Sequence, residues 1–222
     1  MITLILVVIL GALLLSVLLK LAKKPDAPPE PRHDWRTKPT AAPAPDPPDL
    51  ANLKITDAQA GDAISISGAG DGMTDLDFTA DRLTRVEAGA RRWFELSGPY
   101  HERRVVLRVG GDEEVEAALH NSSRKITLED LGVSEDDLAQ MDERQNTGDS
   151  FGFEDKVWMY LFSREARARR DDGQPANAYY YWEFQEQGGK GILGLRKAEG
   201  EPFTVTDLVS INPGDVTIYR SR

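Results

Sequence analysis

Two glutamates stand in matching surroundings: Glu95 in Trp93-Phe94-Glu95-Leu96, and Glu183 in Tyr181-Trp182-Glu183-Phe184. A facing pair of carboxylates can divide its protonation states, one group giving a proton while the other accepts one or attacks. Both sit in alternating runs, however. On a strand, a Glu between Phe94 and Leu96, or between Trp182 and Phe184, points away from its neighbours. With the apolar side chains inward, both carboxylates are expected to face solvent. Other chemistry is sparser. His33, His101 and His120 lack metal-ligand spacing. Asp62 and Asp215 each follow a glycine, where Asp ordinarily serves turn geometry. Ser65 and Ser67 have no base nearby, and no P-loop, G-x-G-x-x-G or G-x-S-x-G motif occurs. The expectation is therefore a non-enzyme with no catalytic residue, cofactor or metal site. Trp93, Glu95, Tyr181, Trp182, Glu183 and Phe184 are the candidate interaction or pocket residues.

The elements that must position these residues are strands. After Leu50, short apolar alternations recur between glycine-rich turns. Ile64-Ser65-Ile66, Phe78 to Val86, Arg91 to Leu96, Arg103 to Val109 and Val115 to Leu119 read as strands, with a turn at Gly98-Pro99. Thr127 and Ser134, each with an Asp three places on, read as N-caps of two short helices, the first closed by Gly132. The β rhythm resumes at Val157 to Phe162, Ala178 to Phe184, Ile192 to Leu195, Phe203 to Val205 and Val216 to Tyr219. The basic run Arg164, Arg167, Arg169 and Arg170 reads as a hydrated hairpin tip beside Asp171-Asp172-Gly173.

The two halves echo one another. Twelve and thirteen residues after each Glu comes Leu-Arg, as Leu107-Arg108 and Leu195-Arg196. The fold expected is mainly β: antiparallel meanders, a duplicated meander over 75–120 and 155–206 closing as a sandwich or barrel, with one or two short helices. The aromatic run Tyr179 to Trp182 with Phe184 is expected in its core.

Placement comes from the other end of the chain. Residues 2–22 carry one charge, Lys20, and as a helix would span about 31 Å, the hydrocarbon thickness of a bilayer. Lys20, Lys23 and Lys24 cluster at its C-terminal end, and no charged side chain precedes them. A transmembrane anchor over 1–24 is thus expected, with the N-terminus outside and the rest in the cytoplasm. Nine of the thirteen prolines fall in residues 25–50, which read as a stiff tether reaching up to about 80 Å, with His33 and Trp35 incidental within it. Residues 51–222 form the β-rich domain. They hold 21 Lys and Arg against 32 Asp and Glu, a balance that disfavours nucleic acid as a partner. The absence of cysteine excludes disulfides and thiolate metal sites and suits a reducing compartment.

The Gly61-Asp62 entry, the Trp93-Phe94-Glu95-Leu96 hairpin, Tyr181-Trp182-Glu183-Phe184 with Leu193 and Leu195, and the Gly214-Asp215 exit resemble a bacterial family known as domain of unknown function 4178. The resemblance spans roughly residues 53–220 and is weakest at the acidic stretches around 112–145. It implies no activity and no site residues; it implies only a membrane-associated or envelope-stress context. The expected function is a single-pass, membrane-anchored adaptor that docks a protein partner through strand edges at Arg91–Leu96 or Ala178–Phe184. A small-ligand sensor with an aromatic pocket is the first alternative, and a hydrolase using Glu95 and Glu183 the second.

Overall fold

Eight antiparallel strands close on themselves into a barrel in the computed structural model, which describes residues 53–111, 113–174 and 177–220. The anchor expected at 2–22 and the tether at 25–50 lie outside these residues. Among the described residues, no helix is long and apolar enough to cross a membrane.

The barrel consists of two four-stranded meanders. The first is β3 (Arg82–Ala88), β4 (Arg91–Tyr100), β5 (Arg103–Gly110) and β6 (Glu116–His120). The second is β8 (Lys156–Arg170), β9 (Asn177–Glu186), β10 (Gly191–Lys197) and β11 (Thr204–Ile211). First strand pairs with first, β3 with β8, and fourth with fourth, β6 with β11. The expected sandwich or barrel is therefore a barrel, and its two meanders occupy equivalent positions in it.

Cross-strand partners share a face, so pairing carries a face assignment around the ring. Leu83, Leu96, Leu107 and Leu119 are successive partners on the outer face. Thr84, Glu95, Arg108, Ala118 and Ser210 are successive partners on the inner one. The barrel thus carries its aliphatic stripes outside, where two further layers cover them. A three-stranded sheet, β12-β1-β2, is built from β1 (Ala63–Ile66), β2 (Leu76–Thr79) and β12 (Val216–Tyr219). Its Ile64, Ile66, Leu76, Phe78 and Ile218 pack on the outward residues of β4 and β5. Arg220 fastens this sheet by donating to both Asp62 oxygens, at 2.8 and 2.6 Å, so Asp62 is a buried ion-pair partner as well as a turn residue.

The other flank is covered by α1 (Leu128–Leu131), α2 (Glu135–Arg144) and β7 (Ser150–Phe153). Both helices begin on the expected capping boxes, Thr127 with Asp130 and Ser134 with Asp137, and Gly132 ends α1 at φ 66°. Leu138 and Met141 pack over Trp182, Phe184, Leu193 and Leu195. A bulge at Leu161 lets β8 serve both layers. Residues two apart normally share a face, yet Tyr160 points out beneath α2 while Phe162 points in.

Several local expectations are corrected. Phe78 to Val86 is two strands, broken where Ala80 and Asp81 leave the small sheet for the barrel, their amides bonded to the Asp62 and Ser97 carbonyls. Gly98-Pro99 is not a turn but part of β4. A Cβ on Gly98 would lie 2.1 Å from the Thr79 carbonyl oxygen, so glycine is needed there for the crossing of β2. The arginine run 164–170 is not a hairpin tip but the second half of β8, paired with both β3 and β9.

Candidate functional site

Because the apolar stripes face outward, the residues that alternate with them meet in the lumen. Strand β4 brings Trp93 and Glu95, β5 brings Arg108, β9 brings Tyr179, Tyr181 and Glu183, and β10 brings Arg196. The expectation that Glu95 and Glu183 face solvent is overturned. Each does point away from its apolar neighbours, but the side they turn to is the barrel interior, where Glu183 is 3% exposed.

The lumen is built on two crossed ion pairs. Arg108 of the first meander donates to Glu183 of the second, and Arg196 of the second donates to Glu95 of the first. The Leu-Arg of each half therefore serves the glutamate of the other. Around Glu183, the Tyr181 hydroxyl donates to Oε2 at 2.7 Å and itself accepts from Arg108 at 3.1 Å, while Arg91 approaches Oε1 at 3.8 Å. Trp93 donates its indole N–H to Glu95 Oε1 at 3.0 Å, and the Arg108 guanidinium lies 4.4 Å from the Trp93 ring centre. Burial works against the Arg108 charge, but Tyr181 and Glu183 more than offset it and raise its pKa above the ordinary arginine value. Burial, then the Glu183 charge, pushes the Tyr181 phenol well up, so it stays a hydrogen donor.

The pairs are packed among Trp93, Phe162 and Tyr181, and cavities open towards both ends of the barrel. One mouth is a cavity of about 700 Å³ bordered by Arg91, Trp93, Gly110, Glu114 and Ala118. The opposite mouth, about 650 Å³, is bordered by Ser97, Arg104, Ala168, Arg170, Tyr179 and Arg196. A space of about 230 Å³ beside His120 and Gly194 lies on the Glu95–Arg196 side. His120 Nδ1 is 3.0 Å from Asp207 Oδ1 and 2.7 Å from its carbonyl oxygen. That side-chain hydrogen bond outweighs burial and raises the imidazole pKa.

Of the six candidate residues, the structure unites Trp93, Glu95, Tyr181 and Glu183 in the lumen. It places Trp182 and Phe184 on the outer face instead, where Trp182 donates to the Leu138 carbonyl at 3.2 Å under α2. Arg108, Arg196 and His120 were not among the candidates. The arginines had a signal: in each half the Leu-Arg pair repeats at the same distance from Glu, with Arg on the polar side of an alternating strand. The edges expected to dock a partner are already occupied, since β4 lies between β3 and β5, and β9 between β8 and β10. Among the described residues, no group of three or more His, Asp or Glu is arranged to hold a metal.

No protein-family model matches the chain, and no curated protein or solved structure is significantly similar to it.

Proposed function

We propose that the barrel is a binding module that admits a small molecule to its lumen, held at a membrane by residues 2–22 and the proline-rich tether. The inward face of the barrel supports this reading. An eight-stranded barrel is just wide enough either to fill with side chains or to hold one small ligand. A barrel built for stability alone would use apolar side chains inside, because burying each ion costs several kcal/mol before pairing returns it. This chain instead commits most of its large aliphatic residues to the outer layers; inside, beside an apolar patch of Val86, Ala88, Phe162 and Ala166, it leaves charged pairs, aromatic rings and open space at both mouths. Pockets with a few convergent polar groups between aromatic walls suit orientation of a small ligand.

The paired-acid hydrolase is less well supported, since each carboxylate is engaged by an arginine of the opposite meander. The adaptor reading loses its two docking strands to the closed barrel. The family resemblance adds its membrane-associated context and nothing about the ligand.

The test is a screen of neutral and ionic small fragments against the 15N-labelled full chain in detergent micelles. Shifts concentrated at lumen amides such as Gly110, Gly194 and Ala168, and lost when Ala168→Trp fills one mouth, are expected. Fragments that move only exposed amides, or none that bind, would overturn the reading.

A further inference from the structure

Three buried polar atoms of the described residues have no hydrogen-bond partner: Arg170 Nε, the Tyr179 hydroxyl and Arg196 Nε. Each belongs to a side chain that lines the same 650 Å³ mouth. They come from three adjacent strands, β8, β9 and β10. Tyr179 is 8% exposed, and the Arg196 guanidinium lies 5.3 Å from its ring centre.

Buried groups of this kind are paired in all but a few cases, so three orphans at one place point to a missing partner. Their chemistry states what it must be. Both Nε groups can only donate, and the phenol has a hydrogen to give. One terminal nitrogen of each arginine, Nη2, meets an acid: Asp172 at 2.8 Å for Arg170, and Glu95 for Arg196. The buried Nε groups are left without an acceptor. Arg104 lines the same mouth, with its guanidinium already bonded to Asp81.

Resting on the reading of the barrel as a binding module, we propose that this mouth binds an oxyanion, a phosphate or carboxylate group, through Arg170 Nε, Tyr179 Oη and Arg196 Nε. An oxyanion offers several acceptor oxygens to the donors of this mouth, and a charged acceptor makes each bond stronger than a neutral one would. The remainder of the ligand would extend into the lumen past Ala168 and Thr204.

The experiment titrates the full chain in neutral detergent with inorganic phosphate and with acetate, against chloride at matched ionic strength, by calorimetry and amide shifts. Saturable binding of phosphate or acetate, but not chloride, with shifts at Tyr179 and Arg196 is expected. Tyr179→Phe removes one hydroxyl and nothing else. Because that hydroxyl has no partner in the ligand-free protein, the variant should melt at or above the wild-type temperature while binding phosphate about tenfold more weakly. Arg170→Gln should weaken binding as well. A variant that melts normally and binds phosphate as tightly as wild type would overturn the proposal, as would the absence of any saturable oxyanion response. If neutral fragments still shift lumen amides in that case, the anion assignment alone fails; if nothing enters the lumen, the binding module fails with it. Nanodiscs with and without phosphatidic acid separate the sources. Competition with phosphate by phosphatidic acid assigns a lipid headgroup, and indifference assigns a free anion.

Discussion

Replacing Glu183 by glutamine keeps the shape of the side chain and removes its charge, which isolates the role of the crossed ion pairs. Only 4% of the Glu183 side chain and 13% of the Arg108 side chain reach solvent. Breaking such a pair at one partner costs about 3–5 kcal/mol, because the remaining guanidinium is left buried without compensation. The Tyr181 hydroxyl keeps an acceptor in the new amide, so its own penalty of about 1–3 kcal/mol is not added. A domain of this size loses about 2–4 °C of melting temperature per kcal/mol, so the expected fall is about 6–20 °C. Circular dichroism melts of the full chain in mild detergent measure it. Asp171→Asn is the control. Its partner Arg85 is 60% exposed, Asp171 itself 43%, and loss of that pair should cost less than about 1 kcal/mol. Arg108→Met combined with Glu183→Leu should recover part of the loss, since neither ion then has to be buried, but the Tyr181 hydroxyl loses both partners and keeps a penalty of about 1–3 kcal/mol. A Glu183→Gln protein melting within about 3 °C of wild type would mean that water screens the pair, and the case for its burial inside the barrel would be lost.

Trp182→Ala, which would otherwise look like a test of partner docking, should destabilise by about 3–5 kcal/mol because it empties the layer beneath α2; urea unfolding reads this directly. Gly98→Ala should cost about 1–3 kcal/mol by forcing a methyl group against the Thr79 carbonyl, and a variant as stable as wild type would contradict that crossing. The His120–Asp207 contact makes stability depend on pH. The folded imidazole pKa is raised, chiefly by its bond to Asp207, so the stabilisation is complete below the unfolded value of about 6.5 and is lost as pH rises through the folded one. The melting-temperature gap between wild type and His120→Gln should therefore be widest below about pH 6.5 and close above it; a gap that widens with pH would reverse the assignment.

How far the chain could be read in advance differs from level to level. Alternation at Arg103 to Val109 and at Ala178 to Phe184 marks strands because one face of each must be apolar, a local property visible in a few residues. The capping boxes at Thr127 and Ser134 are equally local, three residues closing a ring of hydrogen bonds. Matching surroundings for Glu95 and Glu183 are likewise visible, and the two occupy equivalent strands, each paired with the arginine of the other half. Other features escape a local reading. Gly98 beside Pro99 reads as a turn residue but is a point of close approach, and only the position of β2 distinguishes the two. The bulge at Leu161 reverses the faces within β8 and has no marker in composition. β7 is four residues long and too short for a periodicity to stand out.

What the amino-acid order decided by itself was which residues stand back to back along each strand: Glu95 against Phe94 and Leu96, Glu183 against Trp182 and Phe184. It could not decide which of those backs would be inside. Alternation defines two faces, and either can be the buried one. The outcome depends on the other layers, here a small sheet joined from β1, β2 and β12 on one flank and two helices on the other, which cover the outer aliphatic stripes and leave the charged residues, with an aromatic and apolar patch, to line the lumen. The ion pairs follow from the same closure, for Arg108 and Glu183 are 75 residues apart, Arg196 and Glu95 101. No local pattern carries a contact over that separation; only the ring of strands brings the two arginines to the two acids.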